Sequence, residues 1–67
     1  MKLQVNDSGS WRDVLRSVPA DRLQEVMRAG TALLQALGDA QRRLRLIDAD
    51  RNVYGFTDGP THSWRTF

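Results

Sequence analysis

Leu23, Val26, Met27, Gly30, Leu34 and Leu37 fall at i, i+3, i+4, i+7, i+11 and i+14. At about 100° per residue these positions share one stripe, which Leu33 widens, and the spacing predicts an amphipathic helix over about Pro19–Leu37. Pro19 suits a first helical turn, Asp21 and Glu25 place negative charge near the positive end of the helix dipole, and Gly38 supplies a C-terminal stop. A helix with one apolar stripe has to bury it, and this limits what the flanking segments can be. Gly30 lies inside the stripe, where alanine would favour the helix by about 1 kcal/mol. A close approach by a sheet or a second helix accounts for it.

The flanks read as strands. "MKLQV" alternates, with Leu3 and Val5 on one side and Lys2 and Gln4 on the other. "NDSGS", Asn6 to Ser10, is a turn, and "WRDVLRSV" reads as a strand returning on the first, bulged near Asp13–Val14. A helix starting at Trp11 and capped by Ser10 is the alternative. After the helix, "RRLRLIDADRNVYGF" reads as a second hairpin with Asp48 facing Asn52 across Ala49-Asp50-Arg51. That register sets Leu46 opposite Tyr54 and Leu44 opposite Phe56 on the core side. Arg43, Arg45, Ile47, Val53 and Gly55 take the reverse side. The predicted fold class is therefore α+β, ββαββ, one amphipathic helix packed on a four-stranded antiparallel sheet made of two hairpins. Residues 1–58 form the single domain, and residues 59–67 a C-terminal tail without periodicity.

Size then constrains how such a fold is stabilised. A chain of 67 residues buries only about 60% of its unfolded surface, and small domains commonly add disulfides, metal or oligomerisation. The chain has no cysteine and one histidine, His62, so disulfides, thiolate–zinc sites and histidine-rich metal sites are excluded. Oligomerisation remains. The formal net charge is +2, concentrated toward the C-terminal end, where Arg42, Arg43, Arg45, Arg51 and Arg65 outnumber Asp48, Asp50 and Asp58. No apolar run has the length of a signal peptide or a membrane span, so the expected location is cytoplasmic.

Two sets of residues are candidates for binding. Arg42, Arg43, Arg45 and Arg51, with Arg65, form an arginine-rich surface suited to phosphates, although arginine also serves as a solvent-facing strand residue that discourages edge pairing. Ile47 and Val53, side by side on the reverse face of the hairpin, and the tail aromatics Trp64 and Phe67 suit an interface. The competing readings are local packing of the tail and scattered surface apolars. Trp11 reads as core. His62 has no predictable orienting carboxylate and reads as a surface side chain. "DADRN" begins like a calcium loop but lacks its later glycine and glutamate, and no phosphate-binding, zinc-protease or nucleophile-elbow motif occurs. No catalytic residue, metal ligand or cofactor is expected.

The pattern of "LQVNDSGSWRDV", a leucine-rich helix and "RLRLIDADRNVYGFTDG" resembles small uncharacterised proteins of bacteriophages and prophages. The resemblance implies a small accessory protein of a mobile element and assigns no functional residue. The expectation from the residues is a non-enzymatic protein-binding module, self-associating as a dimer first, with a phage or host protein as a further partner. The alternative is a nucleic-acid-binding protein that uses the arginine-rich second hairpin.

Overall fold

The computed structural model describes residues 1–38, 41–58 and 61–67. Strands β1 (Lys2–Asp7) and β2 (Ser10–Leu15) precede a 3-10 turn (Ala20–Arg22) and helix α1 (Leu23–Leu37); β3 (Arg43–Ile47), β4 (Val53–Asp58) and β5 (Ser63–Thr66) follow. All pairings are antiparallel, in one sheet of order β2-β1-β3-β4-β5. The class is α+β as expected, but the sheet has five strands rather than four. The segment expected as a tail supplies the fifth strand, β5, paired with β4 from Gly55↔Thr66 to Asp58↔Ser63. Residues 59 and 60, where that tail was expected to begin, lie outside the described residues.

The first hairpin turns at Ser8 and Gly9, both with positive φ (63° and 89°), and Asn6 Oδ1 accepts the Gly9 N–H at 3.1 Å. Glycine takes such a φ without steric cost. The register skips Val14 between Leu3↔Leu15 and Gln4↔Asp13, a bulge where the sequence placed one. Trp11 is therefore in a strand, and the helical alternative is closed.

The helix proper starts at Leu23, later than Pro19. Pro19 is extended (φ −61°, ψ 142°) and no side chain caps the turn after it. The chain instead tightens into 3-10 geometry, with the Arg22 N–H on Pro19 O at 3.0 Å. Gly38 ends the helix in the left-handed conformation as expected, its N–H on Gln35 O. The stripe packs on the sheet around Leu3, Val18, Leu23, Met27, Leu34, Leu44 and Leu46, with Val5, Val26, Tyr54 and Trp64 against them. Gly30 marks the close approach: a Cβ there would lie 2.7 Å from Leu44 Cδ1 and 3.5 Å from Trp64 Cζ2. Strand β5 and the residue before it are each tied to α1. Trp64 Nε1 donates to Met27 O at 2.7 Å, and Thr31 Oγ1 donates to His62 O at 2.9 Å.

The second hairpin closes as expected at Asp48, whose N–H meets Asn52 O at 3.0 Å, but its register differs. The observed pairs are Ile47↔Val53, Leu46↔Gly55 and Arg45↔Phe56, with Tyr54 skipped. The sequence expected Leu46 opposite Tyr54 and Leu44 opposite Phe56. One extra residue in β4 exchanges the faces of everything after it, so Gly55 and Thr57 point toward the helix and Phe56 points away. Packing explains the choice. A Cβ on Gly55 would already stand 3.0 Å from Arg65 O and 3.6 Å from Trp64 Cε3, and a phenylalanine would not fit among these atoms. Thr57 fits and extends the ladder: its Oγ1 accepts the Leu44 N–H at 2.9 Å.

Candidate functional site

With α1 on one face, the other face of the sheet is left open, and most of the candidate residues lie there. Strand alternation brings Lys2 and Gln4 from β1, Trp11 and Asp13 from β2, Arg43, Arg45 and Ile47 from β3, and Val53 and Phe56 from β4 to this side. Arg65 of β5 pairs with Phe56 and joins them. The residue after β5, Phe67, stacks on Phe56 with ring centroids 5.6 Å apart and planes at 39°.

A polar relay crosses the middle of the face. The Arg45 Nε–H donates to Gln4 Oε1 at 2.8 Å, and Gln4 Nε2 donates to Asp13 Oδ1 at 2.8 Å. The Arg45 guanidinium carbon lies 4.1 Å from the centroid of the Trp11 ring, a cation–π contact reaching across β1. The Gln4 amide holds the Asp13 carboxyl below its usual range, helped by the charges of Lys2 and Arg16 and opposed by burial. The other cations differ in their engagement. Lys2 Nζ lies 4.0 Å from Asp13 Oδ2, Arg65 Nε donates to Asp58 Oδ2 at 2.7 Å, and Arg42 Nε reaches Asp7 Oδ1 at 3.4 Å. Among the described residues, Arg43 and Arg51 have no ion pair or side-chain hydrogen bond, and both are exposed.

Two clefts open on this face, with Arg45 as the ridge between them. A cleft of about 470 Å³ runs from Lys2, Gln4 and Asp13 past Trp11 and Ile47 to the β3–β4 loop at Asp48 and Arg51. A second, of about 260 Å³, lies among Trp11, Arg43, Val53, Phe56 and Phe67. The loop at the end of the first cleft is built around Asp48. Its Oδ1 accepts the N–H groups of Asp50 and Asn52 at 2.9 Å each, and Arg51 takes a left-handed φ of 65°. The Asn52 N–H is the main cause of a lowered Asp48 carboxyl, aided by the Asn52 side chain and the Asp50 N–H and opposed by burial.

The expected site residues are thus divided. Arg43, Arg45 and Arg51 converge on the open face, while Arg42 sits beside the β1–β2 turn, where it lines a separate polar cleft with Asp7. Of the expected interface residues, Ile47 is on the open face but only 6% exposed, and Val53 is half-buried beside it. Trp64 lies on the opposite, helix-facing side, and Phe67 is 89% exposed. His62, expected at the surface, is buried just before β5, and its Nδ1 has no hydrogen-bond partner among the described residues. Sequence reasoning missed Trp11 and Phe56, both assigned to the core, and Gln4. The available signal was Gly55: a glycine inside a strand marks a bulge or a close backbone approach, and a bulge there turns Phe56 outward.

Compared with known proteins, the chain matches no family model, no curated protein and no solved structure. Among the described residues no helix is long and apolar enough to cross a membrane.

Proposed function

We propose that this protein is a small non-enzymatic binding module that holds single-stranded nucleic acid on the open face of its sheet. One observation carries the reading: three aromatic rings, Trp11, Phe56 and Phe67, share that face with Lys2, Arg43, Arg45, Arg51 and Arg65. Rings offered on a sheet surface stack on unpaired bases, each stack contributing about 1–3 kcal/mol, while neighbouring guanidinium groups take the phosphates. Bases inside a duplex cannot present their faces to such rings, so the surface suits a single strand. Arg43 and Arg51, without partners in the fold among the described residues, are the phosphate contacts.

The self-association expected from the sequence is a second reading. The arguments for it from Ile47 and Trp64 weaken, because the chain's own side chains already cover both. Two copies meeting through the open face would also bring unneutralised guanidinium groups together. What favours a protein partner lies elsewhere: Leu33 and Leu37 on the helix are 52% and 51% exposed.

Fluorescence anisotropy with short labelled DNA and RNA strands tests the proposal. Binding is expected at low salt, with log K falling against log salt at a slope of about −1.4 if Arg43 and Arg51 each neutralise a phosphate. The double variant Arg43→Ala, Arg51→Ala is expected to keep its fold, to bind several-fold more weakly and to lose most of that slope. No binding of single strands at low salt sinks the reading. Light scattering on the same samples separates the two readings: a dimer that binds no strand leaves self-association in its place.

A further inference from the structure

Arg45 is placed unlike the other cations of the open face. Arg43 and Arg51 are unpartnered among the described residues, and Arg65 makes one exposed ion pair. Arg45 is half-buried and held on two sides: its Nε by Gln4 at 2.8 Å, and its plane by the Trp11 ring at 4.1 Å. Gln4 is itself anchored to Asp13. The two Nη groups of Arg45 have no hydrogen-bond partner among the described residues. The result is a guanidinium held in place on the border of both clefts, with its Nη groups left for a ligand.

We propose, building on the nucleic-acid reading, that this cleft is a base-reading pocket in which Arg45 selects guanine. A volume of about 470 Å³ is ample for a purine, and Trp11 and Ile47 give it apolar surface. Asp13 and Asp48 line it together with Lys2 and Arg51, so its wall carries both signs of charge and suits a polar, uncharged base. On this path the phosphates run along Arg43 and, at the end of the cleft, Arg51, and the base enters the cleft. On its Hoogsteen edge guanine presents two acceptors, O6 and N7, matching the paired donors of an arginine fork. Adenine sets an amino donor against one of those N–H groups, whereas unpaired cytosine offers two acceptors, O2 and N3, on its Watson–Crick edge, and dependence on N7 tells the two modes apart. Gln4 and Trp11 are positioning residues, since they fix the plane of Arg45.

The test uses the intact protein and heptamers of thymidine carrying one central guanine, adenine, cytosine or 7-deazaguanine, the last lacking the N7 acceptor. Guanine is expected to bind about tenfold more tightly than adenine, and 7-deazaguanine to lose most of that advantage. Arg45→Lys, which keeps the charge but not the fork, is expected to flatten the preference. The 7-deaza comparison leaves the protein unchanged, so it decides the matter even where Arg45→Lys disturbs the fold. Equal affinity for all four heptamers, or a guanine preference that survives loss of N7, overturns the pocket and leaves the binding face standing. Absence of binding to every heptamer overturns both.

Discussion

The tripeptide Ser-Trp-Arg occurs twice, at Ser10–Arg12 and at Ser63–Arg65, and each copy opens an edge strand of the sheet. The two tryptophans nevertheless end on opposite faces. Trp64 lies under the helix, its indole N–H bound to Met27 O and its ring against Gly30 and Gly55. Trp11 lies on the open face beneath the Arg45 guanidinium. Local sequence is the same, so it cannot be what sorts them. Register sorts them: Trp64 pairs with Thr57, which faces the helix, and Trp11 pairs with Asn6, which faces away. One ring holds the fold together, and the other holds Arg45 on the open face.

The largest expected effect tests that contrast directly. Trp64→Ala removes a half-buried ring and a hydrogen bond and is expected to cost about 3 kcal/mol in urea unfolding. Trp11→Ala loses mainly the cation–π contact, about 1 kcal/mol, while weakening binding to a single strand. Equal losses of stability in the two variants break the comparison.

A smaller effect refines the account of the inner face. Thr57→Val leaves the buried Leu44 N–H without its acceptor and is expected to cost about 2 kcal/mol. Thr57→Ser keeps the hydroxyl and costs less. If valine is the better tolerated of the two, the Thr57 hydroxyl is not part of the ladder.

The smallest effect belongs to the rim of the open face. Hydrogen bonds, led by the Asn52 N–H, lower the folded-state titration of Asp48 below the ordinary 3.8. A lowered carboxyl stabilises the fold fully above its unfolded value, and that contribution disappears as the pH falls through the folded value. A carboxyl titration followed by NMR should therefore place the Asp48 midpoint below 3.8, with the amides of Asp50 and Asn52 moving in step. A midpoint at or above the ordinary value removes the carboxylate from the account of the loop.

Much of the fold was legible in the residues because periodicity reports burial wherever an element is long enough to repeat. The stripe from Leu23 to Leu34, the Gly38 stop, the close approach at Gly30 and the bulge near Val14 all follow from local pattern, whereas Leu33 and Leu37, expected in the stripe, are exposed. The register of β4 did not, because a single unpaired residue, Tyr54, reverses the sense of an alternation that looks unbroken in sequence. The fifth strand was hidden for a related reason. Ser63–Thr66 is too short to show a period, and its place is defined by β4 and by the helix atoms that receive Trp64. The candidate site was half legible: the arginines and Phe67 declared themselves, but Phe56 turns outward only through that reversed register, and Trp11 through the pairing of β2 with β1.

The strand order has a consequence for how the molecule comes together. Strands β3, β4 and β5 follow one another in a meander, whereas β1 inserts beside β3 from the far end of the chain, with Gln4 and Arg45 41 residues apart. That seam closes the longest loop in the sheet and carries its largest entropic cost. The Trp11–Arg45–Gln4 constellation straddles it, so a chain whose meander has formed but whose seam is open keeps its arginines, Phe56 and Phe67 and lacks the Trp11 and Gln4 that hold Arg45. A ligand on the open face would therefore act as a clasp across the two halves, slowing the parting of β1 from β3.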